Sequence, residues 1–326
     1  MICPFCLNDV KFLDPTPNDG RMDFICPGCK ELIPTMYMKD YKKFAPVLLN
    51  AVGFRGHGKT VFFAALFYTL KKLPVAQCWK KFYTMALNEE SLDTIFKNID
   101  ILTKGTLPDS TPKNFPRPTV IRLVDMPLKL DSTLLCYDTS GEAFKKATQL
   151  VQYASFVRYA KTTLFLLSIN DLENPKIEMH ELINTYIVGL TELGLTPKKQ
   201  NLVIVFTKAD EVSSFKDHED PDIVEYLMHS SLEELSDLNI YFDKLIIMSK
   251  KLKNFTVEKL QAYEFLNAAE NFFKTVNFCI VSSLGAKPEG SSLSVEITPR
   301  RIIDPLLWTI LNAKTQRKNF LSYFWE

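Results

Sequence analysis

Two clusters of residues have spacings that can do chemistry. The first is Gly53-Phe54-Arg55-Gly56-His57-Gly58-Lys59-Thr60, of the form G-x-x-x-x-G-K-[ST]. Gly53, Gly56 and Gly58 let the backbone curl so that successive N–H groups face an anion, and a following helix adds the positive end of its dipole. Lys59 would reach the terminal phosphates of a nucleotide, and Thr60 would offer its hydroxyl to Mg²⁺. Arg55 and His57 could face the phosphates or project into solvent, the commoner placement. Neither is assigned a catalytic step, and His57 counts as nucleotide-binding only as part of the loop. The second cluster is Cys3, Cys6, Cys26 and Cys29, two C-x2-C knuckles separated by nineteen residues. A tight turn points both thiolates of a knuckle at one ion, and four sulfurs complete a closed tetrahedral Zn²⁺ site with no open position for catalysis.

Both clusters need elements to hold them. The apolar run Pro46 to Val52 reads as a buried strand ahead of the loop, and Val61 to Lys72 as the helix after it. A second strand, Thr133 to Tyr137, ends at Asp138-Thr139-Ser140-Gly141. A carboxylate there can hold the Mg²⁺ shell, and Gly141 frees a backbone N–H to approach a γ-phosphate. Leu202 to Phe206 is a further buried strand, ending at Thr207-Lys208-Ala209-Asp210, and Asn277 to Val281 another, ending at Ser282-Ser283-Leu284-Gly285. Around the cysteines, about 35 residues are too few to bury a sufficient core, so a metal would supply much of the folding energy. Phe5, Phe12 and Phe24 are expected around it. Lys11, Arg21, Lys30, Asp14, Asp19, Asp23 and Glu31 are mixed in sign. That suits a structural or protein-docking ribbon better than nucleic-acid contact, the alternative left open.

The order of these motifs resembles the translation-factor-like and Ras-like GTPase superfamily, over about Val47 to Gly285. The resemblance implies that Asp210 accepts hydrogen bonds from guanine N1 and N2, that the stem of Lys208 lies over the base, and that Ser283 and Leu284 cap it. Two positions depart from the pattern. Thr207 stands where Asn is usual, which leaves an ATP-using P-loop protein as an alternative. Glu142 stands where a water-orienting Gln is common. An ionised carboxylate repels the γ-phosphate and cannot donate a hydrogen bond, so intrinsic hydrolysis is expected to be slow, below about 1 s⁻¹. The threonine that closes over Mg²⁺ must precede Asp138. Thr106, Thr111 and Thr119 are candidates, and Thr111 is preferred because it lies mid-loop, among Pro108, Pro112, Pro116 and Pro118.

The remaining pattern completes an α/β expectation: a Ras-like P-loop NTPase with a mostly parallel sheet, one antiparallel edge strand and helices on both faces, preceded by a small zinc ribbon. Thr119 to Met126 with Thr133 to Tyr137 reads as the antiparallel hairpin. Glu142 to Lys161, Ile177 to Leu193, Asp217 to Ala269 and an additional Glu89 to Leu102 read as helical. The chain divides into a ribbon over 1–40 and a GTPase domain over 44–326. At the C-terminal end Pro299-Arg300-Arg301-Ile302-Ile303-Asp304-Pro305-Leu306-Leu307-Trp308 opens a helix, with Asp304 as candidate cap and Trp308 either docked on the domain or offered to a partner. This tail and the preceding ribbon resemble the double-GTPase type 2 family of prokaryotic conflict systems, which implies protein partners, including a second GTPase. His180, His218 and His229 read as surface residues.

Composition sets the outer bounds. The 326 residues are 46% hydrophobic and 24% charged, enough for a real core, and 39 basic against 38 acidic residues leave no footprint for a polyanion. Nucleic acid is therefore not indicated as partner. The longest apolar run is half of what a bilayer needs, and no secretory signal opens the chain. With no disulfide framework to build, the cysteines fit a reducing cytoplasm, with Cys78, Cys136 and Cys279 as packing residues. The expected activity is Mg²⁺-dependent hydrolysis of GTP to GDP in a partner-regulated switch; the alternative is a nucleotide-gated binding module with little hydrolysis.

Overall fold

The computed structural model describes residues 1–14, 24–73, 75–210, 221–229, 234–293 and 295–314. Arg21, Asp19, Asp23 and His218, and the start of the Asp217 segment, lie outside them. In chain order the elements are β1 (Phe24–Ile25), β2 (Leu32–Ile33), α1 (Thr35–Lys39), β3 (Pro46–Val52), α2 (Lys59–Lys72), α3 (Val75–Cys78), β4 (Tyr83–Ala86), α4 (Glu89–Thr103), β5 (Thr119–Val124) and β6 (Ser132–Tyr137). There follow α5 (Ala147–Tyr153), β7 (Thr162–Ser168), α6 (Pro175–Glu192), β8 (Asn201–Thr207), α7 (Pro221–Met228), α8 (Leu238–Glu258), α9 (Tyr263–Phe272), β9 (Val276–Ile280) and α10 (Ile303–Lys314).

Among the described residues, β1 and β2 form a small antiparallel pair, and seven strands form one sheet in the order β4-β5-β6-β3-β7-β8-β9. β6, β3, β7, β8 and β9 run parallel, while β5 is antiparallel to both β6 and β4. The hairpin therefore has the expected sense but is not the margin of the sheet. β4 pairs outside it, a four-residue strand with Tyr83 half-exposed and too short for an apolar period to announce it.

Strands buried on both faces must be apolar at every position. In β3, Leu48 and Val52 enter one core with α5, α6 and α9, while Val47, Leu49 and Ala51 enter the other with α2, α4 and α10. The N-terminal cysteine segment packs on the first of these faces, so Cys3, Leu7, Cys26 and Tyr37 share a core with Tyr137 and Phe156.

Two helical expectations change. The stretch Glu142 to Lys161 is not one helix: a 3₁₀ turn over Gly141–Phe144, α5, and a second 3₁₀ turn over Ser155–Tyr159 follow one another. Phe144, Leu150 and Phe156 are all buried at a spacing of six, which one α-helix would scatter around its axis. Asp304 is not a solvent-side cap. It is fully buried in α10 and accepts hydrogen bonds from the hydroxyls of Tyr226 (2.6 Å) and Tyr241. Beside it Arg301, also buried, pairs with Glu234 at 2.7 Å and lies 3.8 Å over the Tyr226 ring. Trp308 is buried on the domain with Leu306 and Leu307.

Candidate nucleotide and metal site

The loop between β3 and α2 surrounds Lys59. Gly58, the residue before the helix, has φ of 79°, a left-handed conformation that a side chain would strain. Lys59 is buried, and its Nζ donates to the carbonyls of Gly53 (2.9 Å) and Phe54 (2.7 Å). Burial lowers its pKa to about 8, partly offset by Asp138.

Beside the loop lies a cavity of about 480 Å³ lined by Arg55, Gly56, Gly58, Lys59, Thr60, Pro108 to Thr111, Lys113 and Thr139 to Glu142. Behind Thr60 and Thr111 in this lining, three separate stretches of chain meet at Asp138. The Thr111 hydroxyl donates to Asp138 Oδ2 at 2.8 Å and lies 2.7 Å from the Thr60 hydroxyl, from which it accepts. Thr106 instead bridges to Ser292, and Thr119 opens β5. Burial raises the Asp138 carboxyl, although Thr111, Thr60 and Lys59 oppose the shift. Its Oδ1 is buried with no hydrogen-bond partner among the described residues. The ammonium of Lys59, buried at the cavity lining, and the carboxyl of Asp138, with its buried Oδ1 behind that lining, are thus both pushed towards neutrality. Those are the charges that a polyphosphate and a divalent cation would offset, so the donor set fits Mg²⁺.

Gly141 sits against the loop. A Cβ there would stand 2.6 Å from the Phe54 carbonyl carbon and 2.8 Å from Arg55 Cα, so only glycine permits the approach. Glu142 faces the cavity rim and pairs with Lys145 at 2.9 Å. Lys145, and further off Arg55 and Lys113, hold its carboxyl below the usual range.

His57 departs from the solvent-side expectation. Its ring is 3% exposed, and Nδ1 accepts from the Ser168 N–H at 3.2 Å. Its carbonyl accepts from Thr207 Oγ1 at 3.0 Å, so Thr207 ties β8 to the phosphate loop. Gly53 and His57 do not line the cavity; Arg55 does, and it is exposed. Thr207, Lys208, Asp210, Ser283 and Leu284 stand at the ends of β8 and β9, outside the cavity lining. Lys208 pairs with Asp171 at 2.6 Å, and Asp210 accepts from Ser282 Oγ at 2.8 Å. Asp171, Ser282 and Lys113 went unassigned in the sequence; Ser282 lay within a quoted strand-end motif, and the other two carry no motif.

The four knuckle sulfurs lie within 4.8 Å of one another. Cys3 and Cys29 are 3.7 Å apart, as are Cys6 and Cys26. A tetrahedral centre with metal–sulfur bonds of about 2.3 Å needs separations of about 3.8 Å, so the four can hold one metal ion and fit zinc. Burial pushes the Cys3 thiol up and that of Cys29 to about 11; at Cys26 burial also raises the thiol, but N–H donors from Cys29 and Gly28 together with the Cys3 and Cys29 thiols lower it on balance. The other cysteines do not join the cluster. Cys136 and Cys279 are buried in strands, and Cys78 is half-buried.

The sheet order, with the loop between β3 and α2, defines the Ras-like P-loop NTPase fold. No protein-family model and no curated protein matches the chain. Among solved structures, a dimerization-deficient mutant of Toc33 from Arabidopsis thaliana is 14% identical, over 87% of this chain and 91% of its own, with a TM-score of 0.34. The S. cerevisiae Ski7 GTPase-like domain, bound to GDP and inorganic phosphate, is 14% identical over 87% of this chain, with a TM-score of 0.36. A SAR1-type GTP-binding protein from Encephalitozoon cuniculi, in complex with GDP, is 11% identical over 85% of this chain and 86% of its own, with a TM-score of 0.30. The chain spans 53% of the length of the Ski7 domain and 60% of that of an SsGBP variant. No helix among the described residues is long and apolar enough to cross a membrane.

Proposed function

We propose that the chain binds GTP at the Gly53–Thr60 loop and hydrolyses it slowly to GDP and phosphate, as a switch governed by a protein partner. The observation that carries this reading is the meeting of Thr60 and Thr111, which line the cavity, with Asp138 behind them. Mg²⁺, when bound there, would neutralise charge on the β- and γ-phosphates. Thr60 and Asp138 would hold it, and Thr111 would close over it. Lys59 and the loop N–H groups would cradle the phosphates, while Gly141 would place its N–H at the γ-phosphate. Asp210 would accept from guanine N1 and N2, with Lys208 over the base and Ser283 and Leu284 capping it. We assign residues 1–40 to a zinc ribbon and 44–326 to the GTPase domain. The ribbon and the Pro299 to Trp308 tail support membership of the double-GTPase type 2 family and hence a protein partner, to be sought as a second GTPase.

Glu142 favours a second reading, a nucleotide-gated binding module with little turnover. Held ionised beside Lys145, it can accept but not donate a hydrogen bond. Competition of GTP and ATP for a fluorescent guanine nucleotide, with Mg²⁺ and with chelator, tests the central claim. Displacement by GTP, weak displacement by ATP and loss of tight binding on chelation are expected; tighter ATP binding would overturn the guanine assignment. Single-turnover hydrolysis, with and without a co-purifying partner, separates the two readings.

A further inference from the structure

Arg117 lies six residues beyond Thr111, on the segment whose residues Pro108 to Thr111 and Lys113 line the cavity. Its guanidinium donates to both oxygens of Glu31, at 3.1 and 3.0 Å, and its Nε is 3.1 Å from Glu90. The same group lies 5.1 Å over the Phe5 ring. Glu31 and Phe5 both belong to the ribbon. Phe5 sits inside the first cysteine knuckle, with its N–H 3.4 Å from Cys3 Sγ. The Glu31 carbonyl accepts from the Cys26 N–H at 3.0 Å.

A second tie runs to the strand that ends at Asp138. Tyr137, the residue before Asp138, donates its hydroxyl to the Pro4 carbonyl at 2.6 Å, inside the same knuckle. Phe115 packs edge-on against both Tyr137 (6.5 Å) and Phe156 (5.8 Å). The far end of the segment is fixed independently. Leu107 N–H donates to the Ser291 carbonyl at 3.0 Å, and Leu293 N–H to that of Gly105 at 2.7 Å. Thr111 thus sits on a short span between two anchors, one of which is the cysteine ribbon.

We infer that Arg117 is a positioning residue. By fastening the Thr111 segment to Glu31 and Phe5 it presets Thr111 beside Thr60 and Asp138, so that metal loading of the ribbon and binding of a nucleoside triphosphate reinforce one another. The inference rests on the nucleotide reading of the cavity. A diphosphate lacks the γ-phosphate, which together with Mg²⁺ orders a segment of this kind, so it gains nothing from the preset segment. A surface ion pair with only a structural role would instead affect both nucleotides alike.

The test uses the full zinc-loaded chain with Mg²⁺, a non-hydrolysable GTP analogue and GDP. Arg117→Ala and Glu31→Ala each weaken the analogue about fivefold, as expected for one bidentate, partly exposed pair with a ring contact, and leave GDP within about twofold. The double variant is no weaker than the worse single one, because the two residues act through one contact. In the wild type the analogue tightens zinc binding, measured by competition with a chelator, and GDP does not; Arg117→Ala removes that difference. Equal losses for both nucleotides, additive losses, or a zinc affinity indifferent to nucleotide overturns the inference. A wild-type chain that binds neither nucleotide overturns the nucleotide reading itself. One that binds both, with unchanged variants, overturns only the role of Arg117.

Discussion

Lys59 and His57 occupy neighbouring positions in the loop and titrate with different consequences. Lys59 must be protonated to hold phosphate, and burial lowers its pKa to about 8. Nucleotide affinity should therefore be level near neutrality and fall as pH rises beyond 8, by up to about tenfold per unit until the bound-state pKa is reached. Lys59→Ala should abolish binding outright. Titration by fluorescence across that range checks both. Burial lowers His57 to about 4, so between its ordinary value near 6.5 and 4 the unfolded chain binds more protons than the folded one. Stability is then lost as pH falls through that window, by up to about 3 kcal/mol from this group. Denaturant titrations at pH 7 and pH 4.5 should show a smaller difference in His57→Gln. Gly141→Ala should disable the cavity while sparing the fold, since its Cβ would meet the Phe54 carbonyl carbon at 2.6 Å.

The C-terminal helix shows how an element and its docking can be read correctly while one residue within it is given the wrong role. Asp304 lies where a cap would be expected, yet it is buried with Tyr226 and Tyr241, and burial raises its pKa to about 6. Between its ordinary value near 4 and 6 the folded chain holds the extra proton, so this group's contribution to stability declines as pH rises, opposite in sign to that of His57. Asp304→Asn should accordingly steepen the gain in stability from pH 4 to pH 6.5 in the same denaturant experiment. Leu307 is fully buried in the same helix, and Leu307→Ala should cost about 2–5 kcal/mol. If α10 were a mobile partner-binding arm, the cost would be close to zero.

At the scale of the whole molecule, the N-terminal cysteine segment, proposed above as a ribbon, shares its core with the sheet. Cys3 and Cys26 are fully buried in the same cluster as Tyr37, Tyr137 and Phe156. Chelation should remove one metal ion per chain and lower the melting temperature of the entire chain by about 5 °C or more, in a single calorimetric transition. Two transitions, with the upper one unmoved, would show that the ribbon folds apart from the domain. Cys26→Ser should act in the same direction as chelation, with metal content as the check.

What the sequence determined by itself was local. Gly58 and Lys59 within G-x-x-x-x-G-K-[ST] dictate a loop geometry, paired C-x2-C dictates two knuckles, and apolar runs such as Leu202 to Phe206 dictate strands covered on both faces. Each is written in residues close together in the chain, where backbone conformation and side-chain period act directly. The tertiary structure decided what depends on distant partners. β4 is a strand because β5 offers it an edge, and Glu142 to Lys161 breaks because its three largest buried side chains must reach one core. Thr111 reaches Asp138, 27 positions away, and Arg117 reaches Glu31, 86 positions away. No spacing encodes such meetings, because their free energy arises only once the sheet has brought the strands together.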